Sequence, residues 1–199
     1  MQFAELIHKR RMVHRFERRP VPRELLLKVL ETARHAPSGG FSQGFDFVVL
    51  DEPDQVEWFW KVSENPEFPY EADELADGPP CIVLPVANVN LYLERYSRPD
   101  KAPYGLQRAE AWRMPYWYID TGMAVMLQLL AAVDEGLGGW FFGLAAGEEE
   151  LLRELKVPEG CRPIGALGFG FAKPDTNPKG SAYSLKRRSL DSMVHFGSW

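Results

Sequence analysis

The stretch HKRRMVHRFERRPVPRELLLKVLETARHAPSGGFSQGFDFVVL, residues 8–50, joins several kinds of segment in one continuous run. It begins with a basic cluster of six cations within eleven residues: Lys9, Arg10, Arg11, Arg15, Arg18 and Arg19. The planar guanidinium group of arginine is well suited to hold a phosphate. We therefore predict an anion site at the beginning of this stretch.

A helix, a turn of small residues and a strand follow the basic cluster. The helix carries an apolar stripe at i, i+3, i+4 and i+7: Leu26, Val29, Leu30 and Ala33. After Pro37, the residues Ser38, Gly39 and Gly40 form a backbone that a flat ring can approach closely. Residues 45–50 then form a predicted buried strand. This order predicts a site for a phosphorylated aromatic cofactor.

The remaining elements are predicted from their periodicity and their breakers. Further helices are expected at 3–10, from Pro53 through Lys61, at 91–96, at 119–135 and at 148–156. Further strands are expected at 81–86, 140–142 and 163–172. Helix 119–135 is apolar nearly all round, which predicts burial inside the domain or between two subunits. Asp120 or Thr121 is a candidate cap for its start, and we expect it to be too short to span a membrane.

Two segments between these elements lack a clear periodicity. Residues 64–80 carry six acidic residues and four prolines, which predicts an exposed loop or lid. Its Phe68 and Tyr70 are interpreted first as anchors of the loop and second as a substrate wall. In residues 97–118 a group of aromatic side chains is equally consistent with a substrate pocket and with dimer packing: Trp112, Tyr116, Trp117 and Tyr118.

Four runs of the sequence resemble the nitroreductase family, in the order in which they occur. They are RRMVHRF at 10–16, PVPRELLLKVLETARHAPSGGFSQGFDFVVL at 20–50, EGLGGWFFGL at 135–144 and LKRRSLDSMVHFGSW at 185–199. The resemblance implies a single domain over 1–199 with an α+β fold, in which helices flank a central, mostly antiparallel sheet. It also implies a homodimer with a long buried central helix, and FMN as the cofactor.

The resemblance implies a set of FMN-binding residues: Arg10, Arg11, Met12, His14, Pro37, Ser38, Gly39, Gln43, Phe142, Gly143, Arg187 and Arg188. Arg10, Arg11 and Arg187 would hold the phosphate, to which the tail 173–199 returns, and Arg188 remains an alternative to Arg187. Residues 37–39 of one subunit and the N–H groups near Phe142 and Gly143 of the other would face the flavin ring. Without the resemblance, the glycines of 136–139 indicate only a turn from helix to strand.

Three positions depart from the family pattern. Met12 stands where serine is common, and His14 stands where a second cation is common, with Arg15 as a candidate replacement. Phe41 replaces a common asparagine near the ring, which removes a polar contact. We expect FMN binding to survive these changes, whereas the substrate is left open.

The implied activity is electron transfer from NADH or NADPH through FMN to a small electron-poor acceptor, such as a nitroaromatic compound or a quinone, by a ping-pong mechanism. No catalytic acid or base is expected, because the cofactor carries the chemistry. A deazaflavin donor is an alternative to the nicotinamide. The sequence is also consistent with a flavin-binding or sequestering protein, with a specialised flavin enzyme that carries out dehydrogenation or flavin fragmentation, and with an α+β interaction domain without flavin.

Composition limits the remaining classes of function. The net charge of −5 argues against a nucleic-acid-binding surface. Cys81 and Cys161 are expected to be free thiols, and no apolar signal segment or membrane partner is expected, which predicts a soluble cytoplasmic protein. The glycine-rich run 136–143 lacks the P-loop ending and the dinucleotide-binding spacing. No metal is expected, since no metal-ligand spacing involves the four histidines, His8, His14, His35 and His195.

Overall fold

A computed structural model of the chain describes residues 2–67, 69, 75–174 and 181–199. Its α-helices are α1 (Phe3–Lys9), α2 (Arg23–Glu31), α3 (Pro53–Ser63), α4 (Val89–Ser97), α5 (Tyr116–Asp134), α6 (Glu148–Glu154) and α7 (Ser181–Ser184). Its strands are β1 (Phe45–Leu50), β2 (Cys81–Asn88), β3 (Gly138–Phe142), β4 (Cys161–Pro163) and β5 (Ala166–Gly170). Short 3-10 turns occur at Thr32–His35, Gly39–Phe41, Ala102–Tyr104, Ala109–Ala111 and Leu190–Ser192.

The described strands form one antiparallel sheet in the order β1-β2-β5-β3, with β4 also paired to β2. Central strand β2 is buried on both faces because its sequence, CIVLPVAN, is almost entirely apolar. Strands β1 and β3 lie at opposite edges. The α+β fold with a mostly antiparallel sheet is confirmed.

Alternate residues of β2 contribute to two cores on opposite faces of the sheet. Val83 belongs to the first core, which also contains buried side chains of α2 and α5: Leu26, Val29, Val125 and Leu129. Ile82 and Leu84 belong to the second, which contains buried side chains of α3 and α6: Val56, Phe59, Trp60 and Leu151. Since side chains of a strand alternate between its faces, this single strand joins both helical layers.

Two of the differences from the predicted elements have a clear structural basis. The strand predicted at 163–172 is divided into β4 and β5, because Gly165 has a φ of 142° and interrupts the ladder. The helix predicted from residue 119 begins at Tyr116, after Pro115, and no side chain caps its start. The proposed capping by Asp120 or Thr121 is therefore wrong, and the Thr121 hydroxyl donates instead to the carbonyl of Trp117 at 2.6 Å.

Helix α5 is long enough and apolar enough, by length and composition, to cross a membrane. The prediction that it is too short for this was wrong, because it has 19 residues. Core helices of globular folds can have the same length and composition. In this fold α5 packs on β1, β2 and β3. Its side chains Asp120, Thr121 and Gln128 are buried within the protein.

One face of α5 is uncovered in the described chain. Ile119, Met123 and Met126 follow each other at i, i+4 and i+7 and are 38%, 40% and 45% exposed. We name these three side chains the α5 stripe. The expected burial of this helix is thus met by the sheet, by α1 and α2 and by the turn Thr32–His35, but not on this face.

The N-terminal segment 12–17 lies along the edge of the sheet. The Val13 N–H donates to the Gly139 carbonyl at 3.1 Å, and Phe16 forms an isolated bridge with Ala172. The Lys173 N–H donates to the Arg15 carbonyl at 2.9 Å. These bonds place the first basic cluster beside β3 and the end of β5.

The predicted exposed loop 64–80 is only partly exposed. Phe68 and Tyr70 lie outside the described residues, so their interpretation stays a prediction. Asp77 and Pro79 are buried, in contrast to the expectation of a solvated loop. Asp77 is buried because it pairs with cations of two other segments.

Candidate functional site

Arg10 follows α1 and has a buried nitrogen that lacks a partner among the described residues. Its backbone N–H donates to the Leu6 carbonyl at 3.0 Å, which fixes its position at the helix end. Its Nη1 atom is buried without a hydrogen bond. A buried guanidinium nitrogen without an acceptor is costly. An anionic ligand such as a phosphate would satisfy it.

Arg15 pairs with Asp77 of the loop 64–80. Its Nε donates to Asp77 Oδ2 at 2.7 Å, and Lys173 Nζ donates to Asp77 Oδ1 at 2.9 Å. A hydrogen bond from Lys173 and, as the next largest cause, one from Arg15 lower the pKa of Asp77, which therefore stays ionised. The hypothesis that Arg15 takes the place of the cation missing at His14 is not supported by these contacts.

The last two arginines of the first cluster also stabilise the fold. Arg18 Nε donates to the Ala76 carbonyl at 3.0 Å. The Arg19 guanidinium pairs with Glu17 at 2.7 Å and lies 3.2 Å from the centroid of the Phe171 ring. Lys9, Arg10 and Arg11 are thus the cations of this cluster best placed for a ligand.

Arg11 lies between two surface cavities. The first, of about 270 Å³, is lined by residues of the N-terminal segment and by Lys173 and Tyr183. The second, of about 510 Å³, is lined by His8, Lys9 and the turn after α5. Tyr183 therefore brings the beginning of the tail to the predicted phosphate side.

The tail arginines are not brought next to Arg10 by any contact in the described parts of the chain. Arg187 and Arg188 are exposed, and Arg188 donates to the Ser192 carbonyl within its own segment. The sequence has a second basic cluster that consists of Lys179, Lys186, Arg187 and Arg188, and of these Lys179 lies outside the described residues. The return of the tail to the phosphate stays a prediction.

The two departures at Met12 and His14 have definite contacts. Met12 Sδ accepts a weak hydrogen bond from the Phe141 N–H at 3.5 Å, and its side chain packs against the first core. The ring of His14 lies 4.9 Å from the Trp140 ring, centroid to centroid. Met12 is therefore directed inward, while His14 remains exposed at the sheet edge.

The predicted ring-binding segment is a strained turn, which we name the 38–43 turn. Gly40, Phe41 and Gln43 have φ values of 61°, 58° and 51°. For the two residues with side chains this costs on the order of 1 kcal/mol each. The turn is held internally by Gln43 N–H to Ser38 Oγ at 2.9 Å and by Ser42 Oγ to Gly39 O at 2.6 Å.

A buried carboxylate that sequence reasoning did not place in the site holds this turn. Asp120 Oδ2 accepts the Gly39 N–H at 2.8 Å and the Tyr92 hydroxyl at 2.6 Å. Burial is the main cause and the hydrogen bond to Asp120 the second cause of a raised pKa of Tyr92, so that this phenol stays protonated. The only sequence signal was an acidic residue near the start of an apolar helix.

Arg95 holds the same turn from the other side. Its Nε donates to the Gly40 carbonyl at 2.8 Å. Its two terminal nitrogens bind the carboxylate of Asp100 at 2.8 and 2.7 Å. Arg95 thereby connects the 38–43 turn to segment 97–115.

The end of β3 carries the second predicted ring contact. The Gly139 carbonyl and the Phe141 N–H both point away from β5, towards Val13 and Met12. Since backbone groups alternate along a strand, the N–H of Phe142 is directed at β5. The expectation that N–H groups near Phe142 and Gly143 face a ligand stays a prediction, and Gly143 is the better placed of the two. Gly143 is exposed and has open space where a Cβ would stand.

The aromatic residues of segment 97–118 pack mainly on each other and on α4. The Trp112 ring lies 4.7 Å from Tyr96, 5.7 Å from Trp117 and 5.8 Å from Tyr92. Its Nε1 donates to the Leu106 carbonyl at 2.9 Å. A local aromatic core therefore accounts for Trp112 and Trp117, and the role of the other aromatics at a substrate stays a prediction.

Two further features bear on chemistry. Cys81 and Cys161 are free and buried, as predicted, and burial raises the pKa of Cys81 to about 12. No group of three metal-ligating side chains occurs among the residues that the structure describes.

Comparison with known proteins adds the family. The family model described as "Nitroreductase family" matches residues 7–171. The chain belongs to the nitroreductase family. The fold is shared with a nitroreductase-like protein from Streptococcus mutans, which is 18% identical with a TM-score of 0.74, over 98% of this chain and 97% of that one. It is also shared with B. megaterium NfrA1, which is 18% identical with a TM-score of 0.75, over 98% of this chain and 74% of that one.

Curated relatives support a flavin-type oxidoreductase. A protein from Methanothermobacter thermautotrophicus named "Putative NADH dehydrogenase/NAD(P)H nitroreductase" is 28% identical over 181 residues, 89% of this chain and 80% of its own. Human iodotyrosine deiodinase 1 is 38% identical over 66 residues, which are 33% of this chain and 23% of the deiodinase. The chain is therefore similar to oxidoreductases over most of its length.

Proposed function

We propose that this protein is a homodimeric FMN-dependent oxidoreductase that takes electrons from NADH or NADPH. By a ping-pong mechanism it would pass them to nitroaromatic compounds, quinones or related electron-poor acceptors. FMN, when bound, supplies the electron-transfer chemistry, and the chain binds and orients it. Beside family membership, the buried unpartnered Nη1 of Arg10 carries this proposal, because a phosphate at the predicted place would give it an acceptor.

The phosphate would be held by Arg10 and Arg11, with Arg187 or Arg188 contributed by the tail. Three other arginines of the first cluster have partners inside the fold, which leaves this pair at the helix end. An arginine paired with a phosphate forms charge-assisted hydrogen bonds that a neutral ligand cannot form. This assignment makes affinity depend on the phosphate group.

The ring would lie against residues 37–39 and Gly143, drawn from different subunits. The 38–43 turn precedes β1, and Gly143 follows β3, at opposite edges of the sheet. With β2 and β5 between them, the two edges are about 14 Å apart at one strand spacing per step. A second copy that brings its β3 edge to the turn of the first would close this gap.

The α5 stripe supports the proposed homodimer. A row of three exposed apolar side chains on one helix face is costly in water, and a second copy can cover it. Met123→Asp/Met126→Asp should convert the dimer to a monomer in sedimentation analysis. Leu27→Asp, at an exposed apolar residue of α2, is the matched control and should remain dimeric. A monomeric wild-type protein would refute the dimer.

Flavin titration tests the cofactor assignment. The wild type should bind FMN with a change in its visible spectrum, and Arg10→Ala/Arg187→Ala should bind at least tenfold more weakly, about 1.4 kcal/mol. Arg34→Ala removes an exposed arginine that pairs with Glu31 and should bind as the wild type does. If the wild type takes up no flavin, the proposed function fails.

Turnover separates the oxidoreductase from a flavin-sequestering protein. Steady-state oxidation of NADH and NADPH should be stimulated by a nitroaromatic or quinone acceptor, with parallel double-reciprocal plots. Iodotyrosine belongs in the acceptor panel because of the similarity to a deiodinase. FMN binding without turnover in every pair would favour sequestration, and product analysis of the flavin would reveal a fragmentation enzyme.

A further inference from the structure

The 38–43 turn has a conformation that its own sequence does not favour. Three of its residues lie in the left-handed region, and two of them, Phe41 and Gln43, carry side chains. Phe41 is 69% exposed, so that its packing does not hold the turn in place. External contacts must therefore fix the position of Gly39 and Gly40.

Two side chains supply these external contacts. Asp120 accepts the Gly39 N–H at 2.8 Å, and Arg95 donates to the Gly40 carbonyl at 2.8 Å. Asp120 lies 81 positions from Gly39 in the sequence, on the buried face of α5. The turn is thus attached to the most buried side of the long helix.

The charge of Asp120 is poorly screened. Its side chain is 3% exposed, and Tyr92, its second partner, is fully buried. Both described partners of Asp120 are neutral donors, a backbone N–H and a phenol. The nearby cation Arg95 is already paired with Asp100 through two hydrogen bonds. A buried carboxylate of this kind acts on neighbouring charges through a low dielectric.

From this geometry we propose that Asp120 is a positioning residue for FMN and that its negative charge lowers the midpoint potential of the bound flavin. The inference rests on the proposed function, since it requires the ring to lie against residues 37–39. Reduction adds negative charge to the flavin, and a fixed carboxylate behind the turn disfavours that charge. The protein with the Asp120 charge should therefore bind reduced FMN less tightly than oxidised FMN.

The experiment is a redox titration of the FMN-loaded protein against reference dyes. Asp120→Asn keeps the size and a carbonyl acceptor for Gly39 but removes the charge. The ratio of affinities for reduced and oxidised FMN should rise at least tenfold, which is a positive shift of about 30 mV for two electrons. Asp46→Asn removes an exposed carboxylate three residues after the turn and should leave the potential unchanged.

Tyr92→Phe distinguishes an effect of the Asp120 charge on the midpoint potential from an effect of a less firmly held turn. It removes one hydrogen bond to Asp120 and leaves the carboxylate in place. The potential of this variant should stay at or below that of the wild type. A rise equal to that of Asp120→Asn would show that loosening moves the potential, and it would overturn the proposal.

The remaining outcomes are also decisive. An Asp120→Asn variant that binds FMN with an unchanged potential would overturn the proposal while leaving the proposed function intact. If Asp120→Asn fails to fold, Asp120→Ser makes the same change of charge with a smaller side chain and should show the same shift. Failure of both to fold would assign Asp120 to stability alone. A wild type without flavin would instead refute the proposed function.

Discussion

The 38–43 turn and the two basic clusters form the two halves of the proposed cofactor site, and they are built in opposite ways. The turn is fixed without a ligand, by Asp120, Arg95 and its own side chains. On the phosphate side, Arg10 has a buried nitrogen without a partner among the described residues, and Arg187 is exposed. The ring side is thus preorganised, whereas on the proposed phosphate side an anion would supply the acceptor that Arg10 lacks.

The largest expected effect comes from adding a side chain at Gly44, the residue directly after the 38–43 turn, where no space is free. A Cβ at Gly44 would lie 2.3 Å from the Tyr92 ring and 2.7 Å from the Asn88 carbonyl. Gly44→Ala should lower the free energy of unfolding by about 3 kcal/mol and the Tm by roughly 6–12 °C. Gly143→Ala has open space at its Cβ and should unfold as the wild type does. Equal Tm values for the two variants would contradict the close packing of Gly44 against Tyr92, the residue that also binds Asp120.

A smaller effect should follow from removing the proposed phosphate contact, either from the protein as Arg10→Ala or from the ligand as riboflavin. Arg10→Ala should weaken FMN binding at least tenfold, about 1.4 kcal/mol, and leave riboflavin binding unchanged, since riboflavin lacks the phosphate. Isothermal titration of both ligands with both proteins measures this coupling. An equal loss for riboflavin would mean that Arg10 acts on the ring or on the fold.

The position of Arg10 was predictable from sequence, but the carboxylate that holds the turn was not. Clustered arginines are visible as neighbours in the chain, and residues 45–50 show a strand directly by composition. Asp120 meets Gly39 across 81 positions, and Arg15 meets Asp77 across 62. Such pairs arise from tertiary packing, which periodicity does not encode.

The orientation of Phe142 shows a second limit of sequence reasoning. Its strand was predicted, but whether an N–H faces a neighbour or an open edge depends on the register with β5. A shift of one residue in the register between β3 and β5 would exchange the directions of the Phe142 and Gly143 N–H groups. The strand at 163–172 likewise required the backbone conformation of Gly165 before its division could be known.

The smallest expected effect concerns the ion cluster that holds the N-terminal segment beside the phosphate side. Asp77 has a lowered pKa because of Lys173 and Arg15. Its contribution to stability is present above the unfolded pKa of about 3.9 and is lost as the pH falls through the lower native value. The Tm difference between wild type and Asp77→Asn should therefore be constant above about pH 5 and shrink in more acidic solution.

A control variant shows how the Tm responds to acid when an exposed carboxylate outside the ion cluster is removed. Glu159→Gln changes an exposed glutamate in the turn before β4 and should follow the wild-type Tm at every pH. A Tm difference for Asp77→Asn that is independent of pH would show that packing, and not the ion cluster, stabilises this contact.

In the proposed homodimer, the α5 stripe would tie folding to the amount of protein present. When a second copy covers Ile119, Met123 and Met126, association and folding become one equilibrium, governed by mass action. Each tenfold dilution then removes about 1.4 kcal/mol from the free energy that separates the folded dimer from the unfolded chains. A scarce chain would be less stable than an abundant one of identical sequence, so that expression level would help to set its lifetime in the cell.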